Sequence, residues 1–162
     1  MSAKKILPWL LVALCMAGCS EYPLSQKGVY HTDKALTGFW VSSGWFQKDK
    51  GSVMIAAENR DEYSIFTCDR MGREPSKNTA FPTRIGDKTF LNVPVSDSGN
   101  PKATGYEIDE YILSPDGKRL TLIPLDTDKL PKSIHSSAQL YRYVKDHLPE
   151  LLSKPVTELK RY

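Results

Sequence analysis

Apolar and polar residues alternate in short runs along most of the chain between residues 39 and 125, as they do in β-strands. Seven runs are rich in β-branched, aromatic or alternating residues: 39–43, 52–58, 62–68, 80–85, 89–95, 106–114 and 119–125. Turn-forming residues separate them, and Asp116 with Gly117 gives the clearest hairpin signal. Seven or eight strands in this order predict a mainly β fold, a small antiparallel curled sheet or barrel.

After residue 125 the apolar spacing becomes that of a helix. Three apolar residues recur at helical intervals: Leu140, Val144 and Leu148. Ser136 and Gln139 have the spacing of a capping box, so the pattern predicts one C-terminal amphipathic helix over about 137–147. Pro149 removes a helix hydrogen bond, and we therefore expect the helix to stop or kink there. Its apolar stripe is expected to pack against the sheet or plug one end of the barrel.

The first eighteen residues have the pattern of an export signal. Lys4 and Lys5 precede an uncharged, mostly apolar run over residues 6–17. As a helix this run would cover about 20 Å, against roughly 30 Å of bilayer hydrocarbon, so a retained transmembrane anchor is disfavoured. We expect residues 1–18 to be a signal peptide that is removed.

The residues around the expected cleavage point resemble the lipobox of bacterial lipoproteins, with Met16, Ala17 and Gly18 before Cys19. This resemblance implies a diacylglycerol thioether on Cys19, an amide-linked third chain and stable attachment to a membrane. Ser20 is similar to the sorting signal of outer-membrane lipoproteins in Gram-negative bacteria. The resemblance thus implies a cell-envelope protein, lipid-anchored on the periplasmic face of the outer membrane.

Residues 19–34 carry mixed polar residues without a sustained period, and we expect them to form the lipidated N-terminus and a flexible tether. Residues 35–162 then form a single domain. Removal of the signal lowers the formal charge from +3 to +1, which gives no reason to invoke nucleic acid. Cys68 is the only other cysteine left, so no disulfide within the domain is expected.

The chain shows no motif that predicts catalysis, a cofactor or a metal. His31, His135 and His147 are too far apart in sequence for a ligand pair. Several carboxylates could converge only through strand pairing: Glu107, Asp109, Glu110, Asp126 and Asp128. We therefore expect neither an enzyme nor a metal or cofactor site.

Two aromatic residues beside a glycine, Trp45 and Phe46 after Gly44, are the candidate contact for a partner or ligand. Either they pack under the terminal helix, or they are exposed and available for contact. The alternatives stay open at this stage.

The start Gly38-Phe39-Trp40 resembles that of lipocalins, in which the tryptophan closes the barrel base. The strand of residues 90–93, the segment 118–126 and the terminal helix are similar to a largely uncharacterised group of small exported β proteins. Two functions fit these patterns. One is a structural or interaction module that binds another envelope component. The other is a binder of a small apolar ligand or lipid inside the barrel.

Overall fold

Eight antiparallel strands form a closed barrel in the computed structural model, which describes residues 19–42, 51–68, 76–96, 105–153 and 157–162. The strands are β1 (Gly38–Ser42), β2 (Ser52–Ala57), β3 (Tyr63–Cys68), β4 (Ser76–Ile85), β5 (Lys88–Val95), β6 (Gly105–Leu113), β7 (Arg119–Pro124) and β8 (Thr157–Arg161). Each pairs with its neighbours in sequence, and β8 pairs with β1 to close the barrel. One helix, α1 (Ser137–Leu151), lies between β7 and β8. The predicted fold class is confirmed.

The barrel has two ends, which we call the base and the rim. At the base, β1 begins at Gly38 and β8 ends at Arg161. At the rim, β1 ends at Ser42 and β6 begins at Gly105. Because successive strands are antiparallel, each of the eight strands runs from one end to the other.

Trp40 fills the base of the barrel interior. Its side chain has 0% exposure, and its indole Nε1 donates to the carbonyl of Leu36, 3.0 Å away. Leu36 ends a 3-10 helix, Lys34–Leu36, that precedes β1. The other buried residues of this inner core come from the strands around the barrel: Ile55, Tyr63, Ala80, Leu91, Tyr111, Leu120 and Leu159.

The outer face of β4, β5 and β6 is covered by α1. The apolar stripe predicted from the sequence joins Ile85, Phe90 and Ile108 in a second buried core. Ser136 Oγ accepts from the backbone N–H of Gln139 at 3.3 Å, which confirms the predicted cap. The helix continues past Pro149 to Leu151 with a kink at His147, as expected where proline removes a hydrogen bond.

Two strand assignments needed correction. β4 begins at Ser76, four residues before the predicted start at Ala80. Its polar first residues pair with the half of β3 that lies nearer the rim. β8 was not predicted, since Leu159 is its only buried residue and its composition is polar. Both strands are fixed by pairing with a neighbour and carry little apolar alternation of their own.

The expected tether is part of the fold, which corrects the prediction of a flexible segment. Ser20 pairs with Tyr106 at the start of β6, and the chain continues from the rim toward the base beside α1. Leu24 is 1% exposed and belongs to the core under α1. Its backbone N–H donates to Oδ1 of Asn92 at 2.7 Å. Residues 19–34 show no hydrophobic period in the sequence because single contacts, such as those of Leu24, hold them in place and no continuous apolar face is needed.

Candidate functional site

A cavity of about 560 Å³ lies at the base of the barrel, between the segment 29–33 and the ends of β4, β5 and β6 that lie at the base. Its volume is within the range of small-molecule sites. The barrel contributes Pro82, Arg84, Thr89 and Tyr111 to its walls. Thr89 pairs with Arg84 on one side and with Tyr111 on the other, so these three residues form one level of the barrel interior.

Arg84 is the charged barrel residue in this cavity. Among the described residues, no carboxylate lies within ion-pair distance of its guanidinium. Asp33 also lines the cavity, but its Oδ1 accepts from the N–H of Ala35 at 2.8 Å and so caps the 3-10 helix. Arg84 is thus a cation whose planar donor group is available to an anionic group in the cavity.

Two tyrosines form the aromatic part of the cavity wall. Burial raises the pKa of Tyr111, and the positive charge of Arg84 acts in the opposite direction. Burial also raises the pKa of Tyr30, as does its hydrogen bond to Tyr141 of α1. Arg84 lines the same cavity as both phenols, and its positive charge opposes the raised pKa of Tyr30 as well. Both tyrosines stay neutral near pH 7.

His31 occupies the outer side of the cavity in a polar network. Its Nδ1 lies 2.7 Å from Oδ1 of Asp61, and its Nε2 lies 2.7 Å from Nη2 of Arg60. Because a guanidinium only donates, Nε2 accepts and Nδ1 carries the proton toward Asp61. This arrangement fixes the orientation of the ring on the cavity wall.

Two carboxyl groups project into the barrel interior above the cavity. Glu107 and Asp109 are two residues apart on β6 and therefore share its inner face with Tyr111. Asp109 is in register with Leu91, which in turn is in register with Pro82 of the cavity wall. Within the described residues, Oε1 of Glu107 and Oδ1 of Asp109 are buried without a hydrogen-bond partner.

Burial changes the ionisation of both groups. Burial raises the pKa of the Asp109 carboxyl to about 7. Burial, followed by the negative charge of Asp109, raises the pKa of Glu107 to about 8. Near neutral pH the interior therefore carries much less negative charge than two ordinary carboxylates would give it.

The other carboxylates named from the sequence do not join this pair. Glu110 faces outward, where its Oε1 lies 2.6 Å from Nζ of Lys88. Asp126 pairs with Lys129 at 3.0 Å, next to Asp128 in a short 3-10 helix. Over the described ranges, no three histidine, cysteine or acidic residues are arranged to hold a metal ion.

The residues singled out from the sequence have different outcomes. Cys19, the predicted lipidation site, is exposed at the rim beside the Ser20 bridge. Trp45 and Phe46 lie outside the described residues. His135 lies just before α1, where its backbone N–H donates to Gln139, and His147 stacks on Tyr143 within α1. The expectation that the domain is not an enzyme stays a prediction.

Sequence reasoning missed Tyr30, Arg84 and Tyr111. Tyr30 was placed in the tether, and the other two were counted only as members of strands. The one available signal was the position of Arg84 in the predicted strand 80–85. It lies on the same face as Ala80 and Pro82, which are apolar. Without the pairing register, nothing distinguished its inner position from an outer one.

No protein-family model, no curated protein and no solved structure matches this chain. Among the described residues, none of the helices combines the length and apolar character needed to cross a bilayer. The function must therefore be inferred from the barrel and its cavity.

Proposed function

We propose that this protein is a lipid-anchored protein of the bacterial envelope whose barrel binds a small anionic molecule. The observation that carries the proposal is the cavity of about 560 Å³ in which Arg84, with no carboxylate partner among the described residues, shares the lining with two neutral tyrosines. A planar guanidinium binds carboxylate, sulfonate or phosphate through paired hydrogen bonds. Tyr30, Tyr111 and Pro82 offer apolar surface to the rest of the ligand.

The barrel itself supports this function. Eight strands enclose an interior wide enough for side chains and one small ligand, which is how lipocalins use the same architecture. Trp40 closes the base near β1, whereas the cavity lies on the side of β4, β5 and β6. A ligand there would contact the apolar interior without displacing the Trp40 core.

The membrane anchor rests on the lipobox resemblance. Cys19 is exposed, as the attachment of acyl chains to its sulfur requires. We place the protein on the periplasmic face of the outer membrane, following Ser20. Mass spectrometry of the protein extracted from its host membrane tests this proposal. An N-terminal peptide that begins at Cys19 and carries acyl chains is expected, and an unmodified peptide or an intact signal would refute it.

Ligand binding can be tested with two fluorescent probes that share a ring system. 1-Anilinonaphthalene-8-sulfonate carries a sulfonate, and N-phenyl-1-naphthylamine does not. Arg84→Gln should weaken binding of the sulfonate probe severalfold, because a contact between an exposed arginine and an anion contributes up to about 1 kcal/mol. Binding of the neutral probe should change little.

Arg119→Gln is the matched control, since it removes the same charge from an exposed residue that does not line the cavity. It should leave the affinity for both probes unchanged. The proposal fails if the wild-type barrel binds neither probe. It also fails if Arg84→Gln and Arg119→Gln behave alike toward the sulfonate.

A second function, contact with another envelope protein, is favoured by an apolar patch on the outer face of β1 and β2. Phe39 and Met54 are in register there and are 39% and 42% exposed. Tyr162, which is 95% exposed, packs edge-on against Phe39 with ring centroids 5.9 Å apart. A photo-crosslinking residue at Met54 tests this function in cells. A specific crosslinked partner, missing when the residue is placed at exposed Asp116, would support it; identical products at both positions would oppose it.

A further inference from the structure

The expected lipid attachment site lies directly on the barrel rim. Ser20 and Tyr106 exchange two backbone hydrogen bonds, with N···O distances of 2.9 Å and 2.7 Å. Tyr106 is the second residue of β6, so this bridge adds the N-terminal segment to the rim. A Cβ atom placed on Gly105 would lie 3.1 Å from Cβ of Cys19 and 3.0 Å from the Ser20 carbonyl oxygen. A side chain at this position would force the segment to shift by a few tenths of an ångström.

The contacts after Ser20 prevent the segment from sliding or peeling away. The buried side chain of Leu24 packs under α1, and Asn92 accepts from its backbone N–H. The hydroxyl of Ser25 lies 2.5 Å from that of Thr83, which is fully buried. Consequently, one residue of about 3.8 Å separates Cys19 from a fixed point on the barrel.

From this geometry we infer that acyl chains on Cys19 seat the rim of the barrel against the bilayer and turn the base, with its cavity, toward the aqueous side. The inference rests on the proposed lipid anchor. A flexible tether would allow the domain to tumble up to about 50 Å from the membrane, whereas the Ser20 bridge removes this freedom. A ligand then reaches the Arg84 cavity from the aqueous phase, not from within the bilayer.

The orientation can be tested on the mature chain, residues 19–162, with Cys68→Ser. A maleimide phospholipid is coupled to Cys19, and the product is placed in nanodiscs of phosphatidylethanolamine and phosphatidylglycerol. Lipids with gadolinium-chelating headgroups then attenuate the NMR signals of nearby amides. Strong attenuation is expected at Gly105 and Ser76, with little at Gly86 and Gly117. Equal attenuation at both ends, or stronger attenuation at the base, would overturn the inference.

Insertion of twelve Gly and Ser residues between Cys19 and Ser20 provides the matched control. It leaves the bridge and the fold intact but restores a tether, so attenuation should become weaker and more uniform. An unchanged pattern would show that the bridge does not orient the barrel. Chemical coupling makes this test independent of lipidation in cells. An unmodified Cys19 in the host would refute the anchor, whereas an Arg84→Gln variant that binds the sulfonate probe as well as Arg119→Gln does would refute only the ligand proposed for the cavity.

Discussion

The guanidinium of Arg161 lies over the indole ring of Trp40, with its central carbon 4.5 Å from the ring centroid. Arg161 ends β8, Trp40 lies in the middle of β1, and the two residues are in register where the barrel closes. Nη2 of Arg161 also donates to the carbonyl of Ala35 in the 3-10 helix. One side chain thus joins the closing strand, the first strand and the helix that precedes it.

Arg161→Ala should lower the free energy of unfolding by about 1–2 kcal/mol, because it removes a cation–π contact with the Trp40 ring and a hydrogen bond from a charged donor. Urea unfolding followed by tryptophan fluorescence measures the change. Lys160→Ala, the adjacent exposed residue on the outer face of β8, should stay within about 0.5 kcal/mol of wild type. Equal effects of both substitutions would show that the Arg161 contact contributes nothing specific.

The stability of the barrel should fall as the pH rises from about 5 to 8. The pKa values of Glu107 and Asp109 are raised to about 8 and about 7 in the folded protein. Their stabilising contribution is complete below the unfolded pKa values near 4 and is lost as the pH rises through the folded values. Each group contributes at most about 1.4 kcal/mol per pH unit, so the combined loss between pH 5 and 8 is several kcal/mol and at most about 6 kcal/mol.

The double variant Glu107→Gln and Asp109→Asn should flatten this pH dependence while keeping similar side-chain shapes. Urea unfolding at a series of pH values measures the slope for both proteins. Glu158→Gln, on the outer face of β8, should keep the wild-type slope. A wild-type stability that is constant or rises between pH 5 and 8 would contradict the assignment of raised pKa values.

Leu24→Ala should destabilise the whole domain by about 2–4 kcal/mol, since Leu24 is buried in the core under α1. A free tether would show no effect on unfolding. Val29→Ala is the control, because Val29 belongs to the same segment but is 59% exposed. Chemical denaturation of the two variants compares them directly. Equal and negligible effects would mean that the segment does not belong to the folded domain in solution.

The close approach of the segment to Gly105 makes a separate prediction. Gly105→Val should displace Ser20 and expose the first residues of the mature chain, because its Cβ would lie only 3.0 Å from the Ser20 carbonyl oxygen and 3.1 Å from Cβ of Cys19, and its two methyl groups add further bulk. Hydrogen exchange of the peptide containing Tyr106 should increase at least tenfold. The same substitution at Gly86 adds atoms to open space, although it strains a positive φ of 62°, and should leave that exchange unchanged.

The strands and the helix could be predicted because alternation and helical spacing record which face of each element is buried. This record fails where both faces are buried. On β6, Ile108 packs outward under α1 while Asp109 points into the interior. Both residues are buried although one is apolar and the other acidic, so the alternation of polar and apolar residues does not reveal which face is inside. The inward carboxyl pair was consequently invisible. Arg84 was missed for a similar reason, since its importance depends on the segment 29–33 that covers it.

The position of β8 also governs how the barrel can be made. The first seven strands follow one another closely, but the chain then forms α1 before it supplies the strand between β7 and β1. Until residues 157–161 have emerged, a growing chain carries two unpaired sheet edges, which readily pair with other chains. Closure joins strands from opposite ends of the domain, a long-range step of the kind that slows folding. The barrel is therefore completed late, and the interval before closure is when this protein is most exposed to aggregation.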